Sequence, residues 1–127
     1  MSTRITISAG AVTLEAELDD SPTAKAILQA MPIEGQVLRW GQEVYFETGV
    51  SVGPSADARE EMSVGQIGYW PVGRAVCIFF GPTPASAADG RPRAASPVNP
   101  IGRVIGDAAA LDAVPAGTKI TLAAKPG

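Results

Sequence analysis

Apolar and polar residues alternate with period two over much of this chain. Ile5 and Ile7 share one side of Thr3–Ser8. Val12, Leu14, Ala16 and Leu18 then interleave with Thr13, Glu15 and Glu17. Such alternation marks strands with one buried face, and the short Ala9-Gly10 link predicts a hairpin. The pattern changes at Asp19-Asp20-Ser21-Pro22. Ser21 can accept a bond from a free helical N–H, and Pro22 suits the first helical position. Ala24, Ile27, Leu28 and Met31 recur at helical spacing and build one apolar stripe, and Pro32 and Gly35 end the element. This is the one convincing helix, placed to plug the mouth of a barrel.

Period two returns afterwards. Gln36–Trp40 and Glu43–Thr48 read as two strands around Gly41, and Gly49–Ser63 reads as a loop. Gln66–Trp70 and Ala75–Phe80 are the next pair, linked through Pro71 and Gly73. The second of these is apolar on both faces, which predicts a central position in the sheet. Pro82–Pro97 has four prolines and no periodicity, so it reads as a loop, with Asn99-Pro100 as a turn. Ile101–Ile105 predicts a strand, Asp107–Ala113 a short helical turn, and Thr118–Ala124 a final strand. The sum is a mainly β chain of about eight strands with one helix, enough to close a barrel filled by side chains and so leave no sheet edge.

Composition narrows the chemistry. The length of 127 residues favours a single domain spanning 1–127. With 46% hydrophobic and 18% charged residues, the chain is of the globular class. A net charge of −3 and no polybasic run argue against nucleic-acid and membrane-surface partners. The longest apolar run, Ala75–Phe80, falls far short of a membrane span. The N-terminus passes directly into alternating strand sequence, without an apolar leader, which together with a lone cysteine predicts a cytoplasmic protein. There is no histidine. A Ser-His-Asp triad, a Cys-His dyad and the usual zinc ligand sets are therefore excluded, and no metal or cofactor is expected. The glycines match neither a phosphate loop nor a dinucleotide fingerprint.

Two stretches carry a family resemblance. One is Gly65-Gln66-Ile67-Gly68-Tyr69-Trp70-Pro71-Val72-Gly73-Arg74-Ala75-Val76-Cys77-Ile78-Phe79-Phe80-Gly81-Pro82-Thr83-Pro84. The other is Arg39-Trp40-Gly41-Gln42-Glu43-Val44-Tyr45-Phe46-Glu47. Together they resemble the cyclophilin-like domain family of small bacterial and archaeal proteins, and the order of elements fits nearly the whole chain. The resemblance implies a closed cyclophilin-type barrel. Laid on the site of true cyclophilins, which isomerise Xaa-Pro bonds, Arg39 resembles the catalytic arginine. Tyr45 and Phe80 resemble aromatic floor residues, and Glu47 stands where a glutamine is expected. The tryptophan and histidine of that site have no counterpart, which argues against isomerisation by that residue set.

The residues themselves offer one cluster. Alternation puts Glu43, Tyr45 and Glu47 on one face, with Arg39 across the hairpin. Trp40, Tyr69, Trp70 and Phe80 supply aromatic walls for a groove. The plainer alternatives are a solvated barrel exterior and ordinary packing. Cys77 reads as a small buried hydrophobe, Glu60-Glu61 as a solvated pair, and Arg91 and Arg93 as a mobile basic loop. Three functions stay open. One is a barrel that binds a small molecule or peptide in this groove. Another is a prolyl-isomerase-like or carboxylate-based enzyme, and the third is an interaction module without chemistry. The oligomeric state is open, with a homodimer among the options.

Overall fold

The hairpin predicted at the N-terminus forms from β1 (Thr3–Ala9) and β2 (Val12–Leu18), paired antiparallel from Thr3↔Leu18 to Ala9↔Val12. In this computed structural model, which describes residues 2–125, that hairpin is part of one ten-stranded antiparallel sheet. Helix α1 (Pro22–Ala30) follows, its N-terminus capped by Ser21 Oγ, which accepts from the Ala24 amide at 3.2 Å. Ala24 and Ile27 of its stripe are buried, so the helical spacing does turn one face inward.

The run after the helix enters the sheet earlier than its sequence suggests. It forms β3 (Ile33–Gln36) and β4 (Leu38–Arg39), with Val37 between them bonded through both backbone groups to residues 117 and 118. Then come β5 (Glu43–Glu47), β6 (Arg59–Glu61), β7 (Gln66–Trp70), β8 (Ala75–Phe79), β9 (Arg93–Ile105) and β10 (Lys119–Ala124). A 3-10 helix at Ala108–Ala113 stands where the helical turn was expected, with Asp107 as its N-cap. The strand order is β3-β10-β1-β2-β9-β7-β8-β5-β4, and β6 adds to β9. The hydrogen-bonded ladder does not close on itself. Its two ends, β3 and β4, are consecutive in the chain and separated by Val37 alone.

Three expectations are corrected here. The stretch Pro82–Pro97 is not loop throughout, because β9 begins at Arg93 and runs thirteen residues. Its prolines hid the strand, yet they are tolerated. Pro100 lies where the β7–β9 register shifts between Ile67 and Gly68, the kind of irregularity that accepts a residue without an N–H. Asn99-Pro100 is therefore strand and not turn. Asn99 is buried, and its side chain bonds Thr23 of α1, the Gly53 carbonyl and the Ser55 amide, tying three segments together. The loop after β5 also contains a strand, β6. Glu60 pairs with Arg93 at 2.8 Å, and Glu61 lies 3.9 Å from Arg91, so the two acids of β6 meet the arginines at and just before the start of β9.

Central β8 lies between β7 and β5, and all its residues are buried. Alternation sorts these three strands into two faces. Val44, Phe46, Ile67, Tyr69, Val76, Ile78 and Phe80 join the main core with Ile5, Ile7, Leu18 and Ile27. A second cluster of Met62, Cys77, Phe79, Ala94 and Val98, with Tyr45 and Trp70 packed against it, occupies the opposite face. Gly68 is required there: a β-carbon would stand 2.7 Å from a Val98 methyl.

Candidate functional site

The second cluster does not fill its space. A half-open pocket of about 180 Å³ remains, lined by Trp40, Glu43, Tyr45, Trp70, Cys77 and the 94–98 part of β9. Each wall follows from local sequence. Glu43 and Tyr45 lie two apart on β5, and Cys77 pairs directly with Tyr45 from β8. Gly41, at φ +59°, turns the chain between β4 and β5 where a β-carbon would meet Thr83 and Pro84 at 2.9 Å, and so sets Trp40 beside the pocket. The Tyr45 and Trp70 rings stand nearly perpendicular, with centroids 6.4 Å apart. The Trp70 indole N–H donates to Ser96 Oγ at 2.6 Å, which fixes the ring against β9.

Glu43 is the unusual member. It is 5% exposed, and no cation lies within ion-pair distance of it among the described residues. Burial lifts its carboxyl to about 7, and a hydrogen bond with the Cys77 thiol offsets only part of that rise. The same burial, together with the neighbouring Glu43, pushes the Cys77 thiol well above its ordinary range and keeps it protonated. Cys77 is thus a poor nucleophile, as its apolar neighbours implied.

The structure divides the sequence-derived site residues between the two faces. Trp40, Glu43, Tyr45 and Trp70 line this one pocket. Glu47 lies one repeat beyond Tyr45, exposed, in an adjoining trough that shares Tyr45 and Trp70 with the pocket. Arg39 pairs with Val44, so it takes the core side and does not face Glu43, Tyr45 and Glu47. Its guanidinium stands 5.2 Å from the Phe80 ring centroid, so these two converge. They do so beside the 3-10 helix, away from the pocket. Nη1 donates to the Asp112 and Val114 carbonyls, and Nη2 to the Gly41 carbonyl and Asp112 Oδ1. Phe80, 5% exposed, belongs to the main core. Tyr69 is fully buried there as well, with its hydroxyl donating to the Val50 carbonyl and accepting from the Val52 amide. Arg39, Tyr69 and Phe80 are therefore outside the pocket.

Sequence reasoning missed the β9 wall, including Ala94, Ser96 and Val98. Their spacing of two was the available signal, and Pro92 and Pro97 obscured it. The described residues contain no cluster of carboxylates and thiols arranged to hold a metal. They also contain no helix long and apolar enough to cross a membrane.

The family described as Cyclophilin-like matches residues 3–123. No curated protein matches the chain. Among solved structures, the chain is similar to the solution structure of the hypothetical protein AF2241 from Archaeoglobus fulgidus. The two are 33% identical with a TM-score of 0.80, over 98% of this chain and 95% of that one. The chain belongs to the cyclophilin-like family.

Proposed function

We propose that this cyclophilin-like protein is a binding module, taking a small organic molecule or a single peptide side chain into the Trp40–Glu43–Tyr45–Trp70 pocket. The observation that carries the reading is a buried carboxyl group beside unfilled apolar space. Protein interiors normally leave no such gap, and a buried charge is normally paired with an opposite one, which Glu43 lacks among the described residues. A pocket of about 180 Å³ exceeds the roughly 150 Å³ cavity that accepts a benzene ring, so it suits one ring or one side chain. The trough beside Glu47 supports extension of a peptide past Tyr45 and Trp70. On this reading the run 33–39 closes the sheet into a barrel, and the barrel is a rigid support for its outer face. A prolyl-isomerase reading lacks its cation, because Arg39 is held by Asp112 and three backbone carbonyls.

Both tryptophans of the chain, Trp40 and Trp70, line the pocket, so indole fluorescence and the two indole N–H resonances report on it directly. A panel of single-ring fragments and Xaa-Pro tetrapeptides is titrated to millimolar concentration. The expected result is that some members shift both indole resonances and that Trp70→Ala removes the response. A panel that leaves both resonances unmoved would sink the proposal.

A further inference from the structure

Resting on the binding reading above, we infer that the ligand is an organic ammonium ion. Its apolar body fills the pocket, and its cationic head lies between the Glu43 carboxylate and the Trp40, Tyr45 and Trp70 rings. The inference starts from what the lining offers a ligand. Its charged group is one carboxyl, and it contains no lysine or arginine. The Trp70 N–H is already engaged by Ser96. An anionic ligand would find no cation and would meet Glu43 at close quarters. A cation would find a counter-charge in a poorly solvated place, where attraction is least screened. It would also find aromatic rings, whose electron-rich faces attract cations. The combination of an acid and several rings around one small cavity distinguishes an ammonium site from a purely apolar one.

The titratable groups that meet Glu43 are few. Tyr45 comes from its own strand, and Cys77 comes from β8. The 94–98 segment of β9, Trp70 of β7 and Trp40 contribute none. Further charges on that face do not line the pocket: Glu47 is exposed beyond Tyr45, and Arg91 and Arg93, beside Met62 and Ala94, are paired with Glu61 and Glu60; Arg39 is on the other side of the sheet. Within the lining, Glu43 is the carboxyl whose ionisation sets the charge that a ligand meets. With that group titrating at about 7, the ionised fraction grows close to a hundredfold between pH 5 and pH 8. An amine that stays protonated across this range gains affinity by about that factor. A bound ammonium in turn favours the carboxylate and lowers its pKa.

The test uses three probes with one carbon ring: cyclohexylammonium, cyclohexanol and cyclohexanecarboxylate. Each is titrated into the full chain at pH 5 and pH 8, followed by indole fluorescence and calorimetry. The expected result is that cyclohexylammonium binds at least tenfold tighter than cyclohexanol at pH 8, that cyclohexanecarboxylate does not bind, and that the advantage disappears at pH 5. Glu43→Gln, which keeps the shape of the side chain, should equalise amine and alcohol and remove the pH dependence. Should that variant fold poorly, the wild-type pH profile decides alone. Equal binding of amine and alcohol at both pH values would overturn the ammonium inference and leave the pocket a binding site for neutral molecules. Failure of all three probes would overturn the inference too, and the fragment and peptide panel then decides the broader reading.

Discussion

Strands β7, β8 and β5 carry two faces of opposite character. On the core face, Phe46, Tyr69, Val76 and Ile78 are sealed, and the one polar group among them, the Tyr69 hydroxyl, has a donor and an acceptor fixed in place by Val50 and Val52. On the other face, Tyr45, Trp70 and Cys77 pack only in part, leaving a cavity with the Glu43 carboxyl in its wall. The same strands and the same alternation build both. A filled face whose polar groups are satisfied is explained by stability alone. A buried acid beside empty space is not, because desolvation works against it.

Neighbouring residues on β5 test this contrast most sharply. Phe46 is fully buried and Tyr45 only half-buried, one position away on opposite faces. Phe46→Ala should cost about 3–5 kcal/mol, as loss of a core aromatic does. Tyr45→Ala should cost clearly less, under about 2 kcal/mol, because its site already borders a cavity. Urea melts of the two variants decide. Equal losses would show that the pocket face is as essential to the fold as the core face.

The next largest effect is electrostatic. In the unfolded chain Glu43 ionises near its ordinary value of about 4.3. In the folded protein it holds its proton to about 7. Between those values the folded state binds more protons, so stability falls as pH rises and levels off above the folded pKa. This contribution amounts to at most about 4 kcal/mol. Glu43→Gln should remove it, so that the variant gains on the wild type between pH 5 and pH 8. Parallel urea titrations of both proteins measure the difference. A constant offset at all pH values would mean that Glu43 is solvated, and the two faces would then differ less than their packing suggests.

Arg39 tests the boundary between the faces. Although the sequence assigns it to the groove, it is a clamp between β4 and the end of the 3-10 helix, stacked on Phe80. Arg39→Ala should cost about 1–3 kcal/mol, since it strips hydrogen bonds to a charged group and a cation–π contact. It should leave ligand affinity at the pocket unchanged. A stable variant with lost binding would return Arg39 to the site.

What was legible follows from which signals are local. The β1–β2 hairpin, the Ser21 cap, the buried β8 and the Asp107 turn are written in short-range periodicity and capping chemistry, and the structure contains each of them. The start of β9 was not legible, because Pro92, Pro97 and Pro100 argue for loop until the partner strands β6 and β7 are known. Part of the pocket's lining was legible in the same sense. Glu43 and Tyr45 share a face by alternation, and Trp40 and Trp70 join them. Applied strictly, the same rule separates Arg39 from Trp40 and Tyr69 from Trp70, since consecutive strand residues face opposite ways. Grouping aromatics by proximity in sequence overrode that rule.

Trp40 gives the smallest expected change in stability and the cleanest separation of folding from binding. It lies between β4 and β5, half-buried, and no hydrogen bond from its indole is found among the described residues. Trp40→Ala therefore removes one wall of the pocket while leaving the β5–β8 ladder and the main core in place. Its cost should stay within about 1 kcal/mol, the range of partly exposed positions away from core and caps. Binding at the pocket should nonetheless weaken at least tenfold, because the lost ring bounded a site large enough for only one ring of ligand. Thermal melting and calorimetric titration of cyclohexylammonium on the same sample separate the two effects. If melting drops sharply and affinity is retained, Trp40 is packing, and the pocket face is a flaw in the fold and not a site.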